Sequence, residues 1–183
     1  MDKNVIISFI GFCYLTQVLF VYYMYNCNKN VSSIICNKNY KYFFLFFTLF
    51  MGLGAVLYEY ERNDLYSLIL VIILFIGLHG LIYIDETHKI HYVFTCSVFI
   101  CMLFFMIIHC YLKEFDIILS LSLFLEIVML LYTLRHFDKN IFFTEVVSIL
   151  NFAFFYFYLH TITDIEIYQT PIPEFTVSLP IIE

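Results

Sequence analysis

Three ionisable or hydrogen-bonding side chains lie in long apolar stretches of this sequence, where burial of a polar group costs free energy. Glu126 is near the middle of one stretch, His79 lies between Gly77 and Gly80 in another, and Glu145 is near the start of the last. Such a group can carry a proton or a cation, or it can hydrogen-bond a neighbouring helix. These residues are therefore the first candidates for function.

The carboxyl group of Glu126 has two interpretations. A carboxyl in the middle of a membrane span can act as a proton or cation relay, as a small transporter or channel would require. It can also hold two helices together through a hydrogen bond to Ser120, Ser122 or Asn151. The structural interpretation is favoured.

The histidines suggest metal chemistry, but their spacing argues against it. His79, His91 and Asp85 could form part of a zinc site in an intramembrane lipid-modifying enzyme. Their spacing is not a zinc signature, and the glycines beside His79 are equally typical of close helix packing. On one helix His91 and His109 would be about 27 Å apart, too far to share a metal. We expect no metal and no cofactor, and a non-enzymatic role is favoured.

The composition shows that these residues lie in a membrane protein. Of 183 residues, 63% are hydrophobic and 13% are charged, and the mean hydropathy is +0.90. Soluble domains do not reach such values. The net charge is −6, without a basic run or a glycine-rich loop. Nucleic acid is therefore not an expected partner.

Apolar stretches long enough to cross a bilayer occur six times. A span needs roughly 20 apolar residues, and short charged segments separate the stretches, so consecutive helices must be antiparallel neighbours. The predicted fold is all-α, a six-helix antiparallel transmembrane bundle. One domain, residues 1–163, is expected, followed by a flexible acidic tail at 164–183. The predicted spans are residues 5–24, 42–58, 66–84, 91–112, 117–134 and 141–162.

The first loop and the basic residues disagree about orientation. An even number of spans places both termini on one side, and three of the nine basic residues lie there against six opposite. The positive-inside rule would therefore place the termini outside the cytosol. The loop contains a glycosylation sequon at Asn30, and Cys27 and Cys36 could form a disulfide in an oxidising lumen. These features argue the other way, for cytosolic termini, so the loop and the basic residues together leave the orientation open.

Two parts of the sequence resemble the DRAM/Frag/Sfk family of six-span membrane proteins, which includes the damage-regulated autophagy modulators. They are similar to the third, fourth and sixth spans of that family and together cover about residues 63–164. The matching residues are Asn63-Asp64-Leu65, Ile76-Gly77-Leu78-His79-Gly80-Leu81, His91-Tyr92, Glu145 and His160-Thr161-Ile162-Thr163-Asp164.

The resemblance implies a function, a location and a set of residues. It implies a regulator or lipid-handling protein, in autophagy, in maturation of glycosylphosphatidylinositol (GPI) anchors or in phospholipid organisation. Its partners would be membrane lipids and other membrane proteins, in the lysosome, the Golgi or the plasma membrane, with cytosolic termini. His91 and Glu145 would form the functional polar pair, with Asn63 and Asp164 as further candidates. The alternatives are a lipid-modifying enzyme and a transporter or channel that uses Glu126.

Overall fold

The structure, a computed structural model, describes residues 3–25, 30–136 and 142–161, and all regular structure there is helical. Six of the helices are long and apolar enough to cross a membrane. The chain is therefore a multi-pass membrane protein, and the predicted six-helix bundle is confirmed. The helices are α1 (Lys3–Tyr23), α2 (Val31–Ile35), α3 (Lys41–Glu61), α4 (Leu65–Tyr83), α5 (Lys89–Leu112), α6 (Ile117–Arg135) and α7 (Phe142–Thr161).

The structure extends the sequence prediction in two places. Helix α3 continues to Glu61, because Glu59 is buried and paired instead of lying in a solvated loop. The short helix α2 was not predicted. It begins after Asn30, whose side chain accepts a hydrogen bond from the Ser33 N–H at 2.7 Å, as an N-cap does.

Acidic residues in the charged connections begin two of the spanning helices. The Asp64 carboxylate accepts the Ser67 N–H at 3.1 Å at the start of α4. Asp116 accepts the N–H groups of Ile118 and Leu119, at 2.9 and 3.0 Å, at the start of α6. The first N–H groups of a helix have no partner within it, so these caps fix where each helix starts.

Helices α1, α3, α4 and α5 pack in that spatial order, and α7 closes the bundle beside α5 and α6. Helix α6 is peripheral. We call the end where α1 begins and α7 ends the terminal end, and the other the opposite end. The turns α3–α4 and α5–α6 lie at the terminal end, whereas α2 lies at the opposite end.

The contact between α4 and α5 depends on two glycines. A Cβ atom added to Gly77 would lie 2.8 Å from Cγ2 of Val98, and one added to Gly80 would lie 2.5 Å from the Phe94 ring. Both distances are far inside van der Waals contact. Glycine therefore lets these two helices approach closely, as is common in membrane bundles.

The apolar residues divide between the bundle interior and the surrounding lipid. The largest buried cluster lies in the terminal half and includes Phe105, Phe155 and Leu159. A second buried cluster at the opposite end holds α2 through Val31 and Ile34. Large apolar side chains elsewhere cover the outside of all six long helices, as a lipid-facing surface requires.

Candidate functional site

A buried ion pair organises the terminal end. Glu59 is 0% exposed, and its Oε2 accepts a hydrogen bond from NH1 of Arg62 at 2.9 Å. The other oxygen, Oε1, accepts the Tyr156 hydroxyl at 3.1 Å and lies 3.1 Å from Nε2 of His160. We call Glu59, Arg62, Tyr156 and His160 the terminal cluster. Because a buried charge is costly unless fully paired, these contacts are needed for the fold.

The contacts of His160 fix which of its nitrogens carries the proton. Arg62 has only donors, and its NH1 lies 3.0 Å from Nδ1 of His160, so Nδ1 is the acceptor. Nε2 then carries the proton and donates to Oε1 of Glu59. The terminal cluster is thus a closed set of hydrogen bonds in which each carboxylate oxygen has a donor.

A second chain of hydrogen bonds adjoins the terminal cluster. The Ser67 hydroxyl donates to Oδ2 of Asp64 at 2.8 Å and accepts from Nε2 of His109 at 2.7 Å. Partial burial opposes ionisation of Asp64, but the two hydrogen bonds from Ser67, with His109 and Arg62 nearby, hold the pKa of its carboxyl below the ordinary value. This chain ties the start of α4 to the end of α5.

At the opposite end, Glu145 holds the short helix α2. Its Oε2 accepts the Val31 N–H at 2.8 Å, and this N–H belongs to the first residue of α2 and has no partner within the helix. Oε1 makes no hydrogen bond to any residue that the structure describes. Glu145 is only 6% exposed, so among the described residues a buried carboxyl has one acceptor that is not used.

The structure gives His91 and Glu145 separate partners. Nδ1 of His91 donates to the Ile84 carbonyl at 2.9 Å, and its Nε2 is buried without a partner among the described residues. His79 similarly donates from Nδ1 to the carbonyl of Phe75 at 2.8 Å. The functional pairing of His91 with Glu145 stays a prediction, and in this structure the two side chains do not bond each other.

The structure brings Glu126 together with Asn151, one of the partners that its depth suggested. Nδ2 of Asn151 donates to Oε2 of Glu126 at 2.9 Å and to the Ser122 carbonyl at 3.0 Å. The Ser122 hydroxyl returns a hydrogen bond to Oδ1 of Asn151 at 2.7 Å. These bonds join α6 to α7, and they give Glu126 a structural role that accounts for its burial.

The remaining candidates from the sequence lie in connections. Asn63 is exposed and has a φ of 58°, the left-handed conformation that asparagine tolerates better than most residues. Burial raises the pKa of the Cys36 thiol. Cys27 and Asp164 lie outside the described residues. The disulfide, the glycosylation of Asn30 and a role for Asp164 therefore stay predictions.

An apolar cavity of about 370 Å³ lies inside the bundle, between the two polar ends. Helices α1, α3, α4, α5 and α7 form its walls, and α2 contributes Val31, Ser32 and Ile35 at the opposite end. Tyr156 of the terminal cluster and Glu145 both line it. This volume falls within the range of small-molecule sites, roughly 300–1,000 Å³.

The cavity reaches the lipid-facing surface between α1 and α7. Leu19 of α1 and Leu150 of α7 line it and are 61% and 44% exposed. Helices α1 and α7 meet through long side chains: the Tyr14 hydroxyl donates to the Ile149 carbonyl at 3.0 Å, and Gly11 lies against the ring of Phe157. A molecule in the surrounding lipid therefore has a lateral route to the interior.

The terminal cluster, and the position of His109 beside it, were not predicted from the sequence. The available signal was the i, i+3 spacing of Glu59 and Arg62 beside two histidines of equal depth. The cavity had no sequence signal, because it results from the spacing of the helices.

Metal binding and known relatives add no further assignment. Within the described ranges no group of three or more His, Cys, Asp or Glu side chains is placed to hold a metal ion. No family model, curated protein or solved structure matches the chain. The resemblance to the DRAM/Frag/Sfk family therefore stays a prediction, and the site must be interpreted from its own geometry.

Proposed function

We propose that this protein is a lipid-handling membrane protein that holds one lipid molecule in the cavity between α1, α3, α4, α5 and α7. The observation that carries the proposal is the cavity itself: about 370 Å³, lined almost entirely by apolar side chains and reaching the lipid-facing surface. An apolar cavity with lateral access from the bilayer favours a lipid over a water-soluble ligand.

The depth of the cavity supports a ligand from one leaflet. Glu145 and Tyr156 line its two ends on the same helix, and eleven residues of α helix span about 16 Å. One leaflet contributes about half of a hydrocarbon core of about 30 Å. A lipid chain from the leaflet at the opposite end would therefore run along α7 from Glu145 toward the terminal cluster.

The same role is what the resemblance to the DRAM/Frag/Sfk family implies. Under that resemblance the protein would act as a regulator in an endomembrane or the plasma membrane, with cytosolic termini. The transporter alternative has less support, because Glu126 is not among the residues that line the cavity and its hydrogen-bond partners, Asn151 and Ser148 of α7, belong to the α6–α7 contact.

The proposal is tested by photolabelling from within the bilayer. The protein is reconstituted in nanodiscs with a long-chain alkyl diazirine that carries a terminal alkyne, irradiated and digested, and the labelled residues are located by mass spectrometry. We expect label on the cavity residues Met102 and Val146 as well as on the lipid-facing Phe124. Labelling confined to lipid-facing residues would overturn the proposal.

A cavity-filling substitution separates specific occupancy from general exposure to lipid. Ala153→Phe places a ring in the cavity, which Ala153 lines, and we expect it to remove the label from Met102 and Val146 alone. Val128→Phe on the outside of α6 is the matched control, because Val128 is exposed and does not line the cavity. If Ala153→Phe destabilises the fold, Ala55→Phe fills the cavity from α3 instead.

A further inference from the structure

A carboxyl group that lines the lipid cavity has one oxygen without a hydrogen-bond donor among the described residues. Oε2 of Glu145 is used by the Val31 N–H, whereas Oε1 has no hydrogen bond within the described residues. Glu145 lines the cavity, and the Val31 N–H is the one hydrogen-bond donor to its carboxyl among the described residues. A buried carboxyl that lines the cavity therefore offers an unused acceptor to whatever occupies it.

Apart from Ser32, which lies at the Glu145 end, the other polar side chains described along the cavity donate their hydrogens to protein acceptors. The hydroxyls of Tyr14 and Thr95 donate to the main-chain carbonyls of Ile149 and His91. The Tyr156 hydroxyl donates to Glu59. The Thr48 hydroxyl donates to Oε1 of Gln17, whose amide nitrogen is bonded within α1. Polar recognition of a ligand must therefore occur at the Glu145 end.

The acceptor at this end selects the chemistry of the headgroup. An anionic headgroup would face the Glu145 carboxyl. Among the described residues, the charged group close enough to act electrostatically on Glu145 is Glu86, which is also acidic. A phosphate or carboxylate there would have two acidic neighbours, and no cation among the described residues acts on Glu145 to offset them, which is costly in an apolar site. A hydroxyl is small and uncharged and carries the donor that Oε1 lacks.

We propose that the cavity takes a lipid with an uncharged hydroxyl headgroup, whose O–H donates to Oε1 of Glu145. Glu145 then has two functions: one oxygen holds α2 over the end of the cavity and the other positions the headgroup. This inference rests on the proposed function, since it names the class of lipid that the same cavity takes. The Ser32 side chain of α2 also lines the cavity at this end.

Two photoactivatable probes with the same alkyl diazirine chain test the headgroup. One ends in a primary alcohol and the other in a carboxylate, and both are offered to the wild-type protein in nanodiscs at equal concentration. One buried hydrogen bond to a carboxylate corresponds to about a tenfold difference in occupancy. We expect the alcohol to label Val146 and Met102 about tenfold more than the carboxylate. Equal labelling would overturn the headgroup inference.

The substitution Glu145→Gln tests whether Glu145 is the cause. The glutamine carbonyl can still accept the Val31 N–H, but its NH₂ group then presents donors to the headgroup instead of an acceptor. We expect the preference for the alcohol to disappear and labelling by the carboxylate probe to rise. Thr95→Val is the control, because Thr95 lines the cavity from α5 and its hydroxyl already bonds a main-chain carbonyl.

The outcomes separate this inference from the proposed function. If neither probe nor the plain alkyl diazirine labels the cavity residues, the lipid cavity itself is refuted. If all three label them without preference, or if Glu145→Gln keeps the alcohol preference, only the headgroup inference fails. Should Glu145→Gln not fold, competition in the wild type decides: an unlabelled long-chain alcohol must displace the alcohol probe more effectively than a fatty acid of equal length.

Discussion

The two ends of the bundle differ in how completely their buried polar groups are hydrogen-bonded. At the terminal end, Glu59, Arg62 and His160 satisfy one another, and each carboxylate oxygen of Glu59 receives a donor. At the opposite end, Glu145 has an unused oxygen and His91 a buried nitrogen without a partner in the described residues. A closed network holds helices together and leaves nothing to bind. Under the proposal made above for Glu145, this incomplete satisfaction is what allows the opposite end to bind a lipid headgroup.

The largest loss of stability is expected when the terminal cluster loses one of its members. Arg62→Ala leaves the buried Glu59 carboxylate without its cation, which typically costs about 3–5 kcal/mol. The free energy of unfolding, measured by titration with a denaturing detergent in mixed micelles, should fall by that amount. As a control, Arg135→Ala removes an exposed arginine at the opposite end. It should change the free energy of unfolding by less than about 1 kcal/mol. Equal losses in the two variants would mean that the cluster does not stabilise the fold.

A smaller loss is expected when the opposite end is disrupted. Glu145→Ala removes the acceptor of the Val31 N–H and leaves that donor unsatisfied, at a cost of about 1–3 kcal/mol. The same titration measures it, with Lys89→Ala as the control for loss of an exposed charge at this end. A loss as large as that of Arg62→Ala would show that both ends are closed networks, and the proposed difference between the two ends would be wrong.

The smallest loss of stability is expected for substitutions of Asp64. Asp64→Ala removes the N-cap of α4 and should cost about 1 kcal/mol, whereas Asp64→Asn keeps a capping oxygen and loses only the charge. Because the pKa of Asp64 is lower in the folded state than its ordinary 3.8, ionisation favours folding. The stability difference between wild type and Asp64→Asn should be present above pH 3.8 and disappear as the pH falls further, as thermal unfolding at a series of pH values would show. A difference independent of pH would contradict this.

Much of the fold could be predicted because membrane spans depend on length and polarity alone. The six helices follow from apolar stretches and from acidic residues such as Asp116 that begin them. Depth along a span also predicted that Glu126 could reach Asn151. Both inferences need only the rise per residue of a helix.

The site could not be predicted, because depth does not say which way a residue faces. Glu59 and His160 lie about a hundred residues apart, and their contact depends on the rotation of α3 and α7 about their own axes. Asn30 shows a second difficulty, since its sequence context indicates a glycosylation sequon while the structure uses it as the cap of α2. The cavity depends on how far apart α1 and α7 pack, which no local pattern encodes.

The short turn between α3 and α4 also bears on how the protein enters the membrane during synthesis. Three residues, Arg62, Asn63 and Asp64, connect the two helices, so the translocation machinery must accept them as a single hairpin. Glu59 and Arg62 are one helical turn apart and can neutralise each other within that hairpin as soon as it forms. The hairpin can therefore become compatible with lipid before His160, which is synthesised about a hundred residues later, is present.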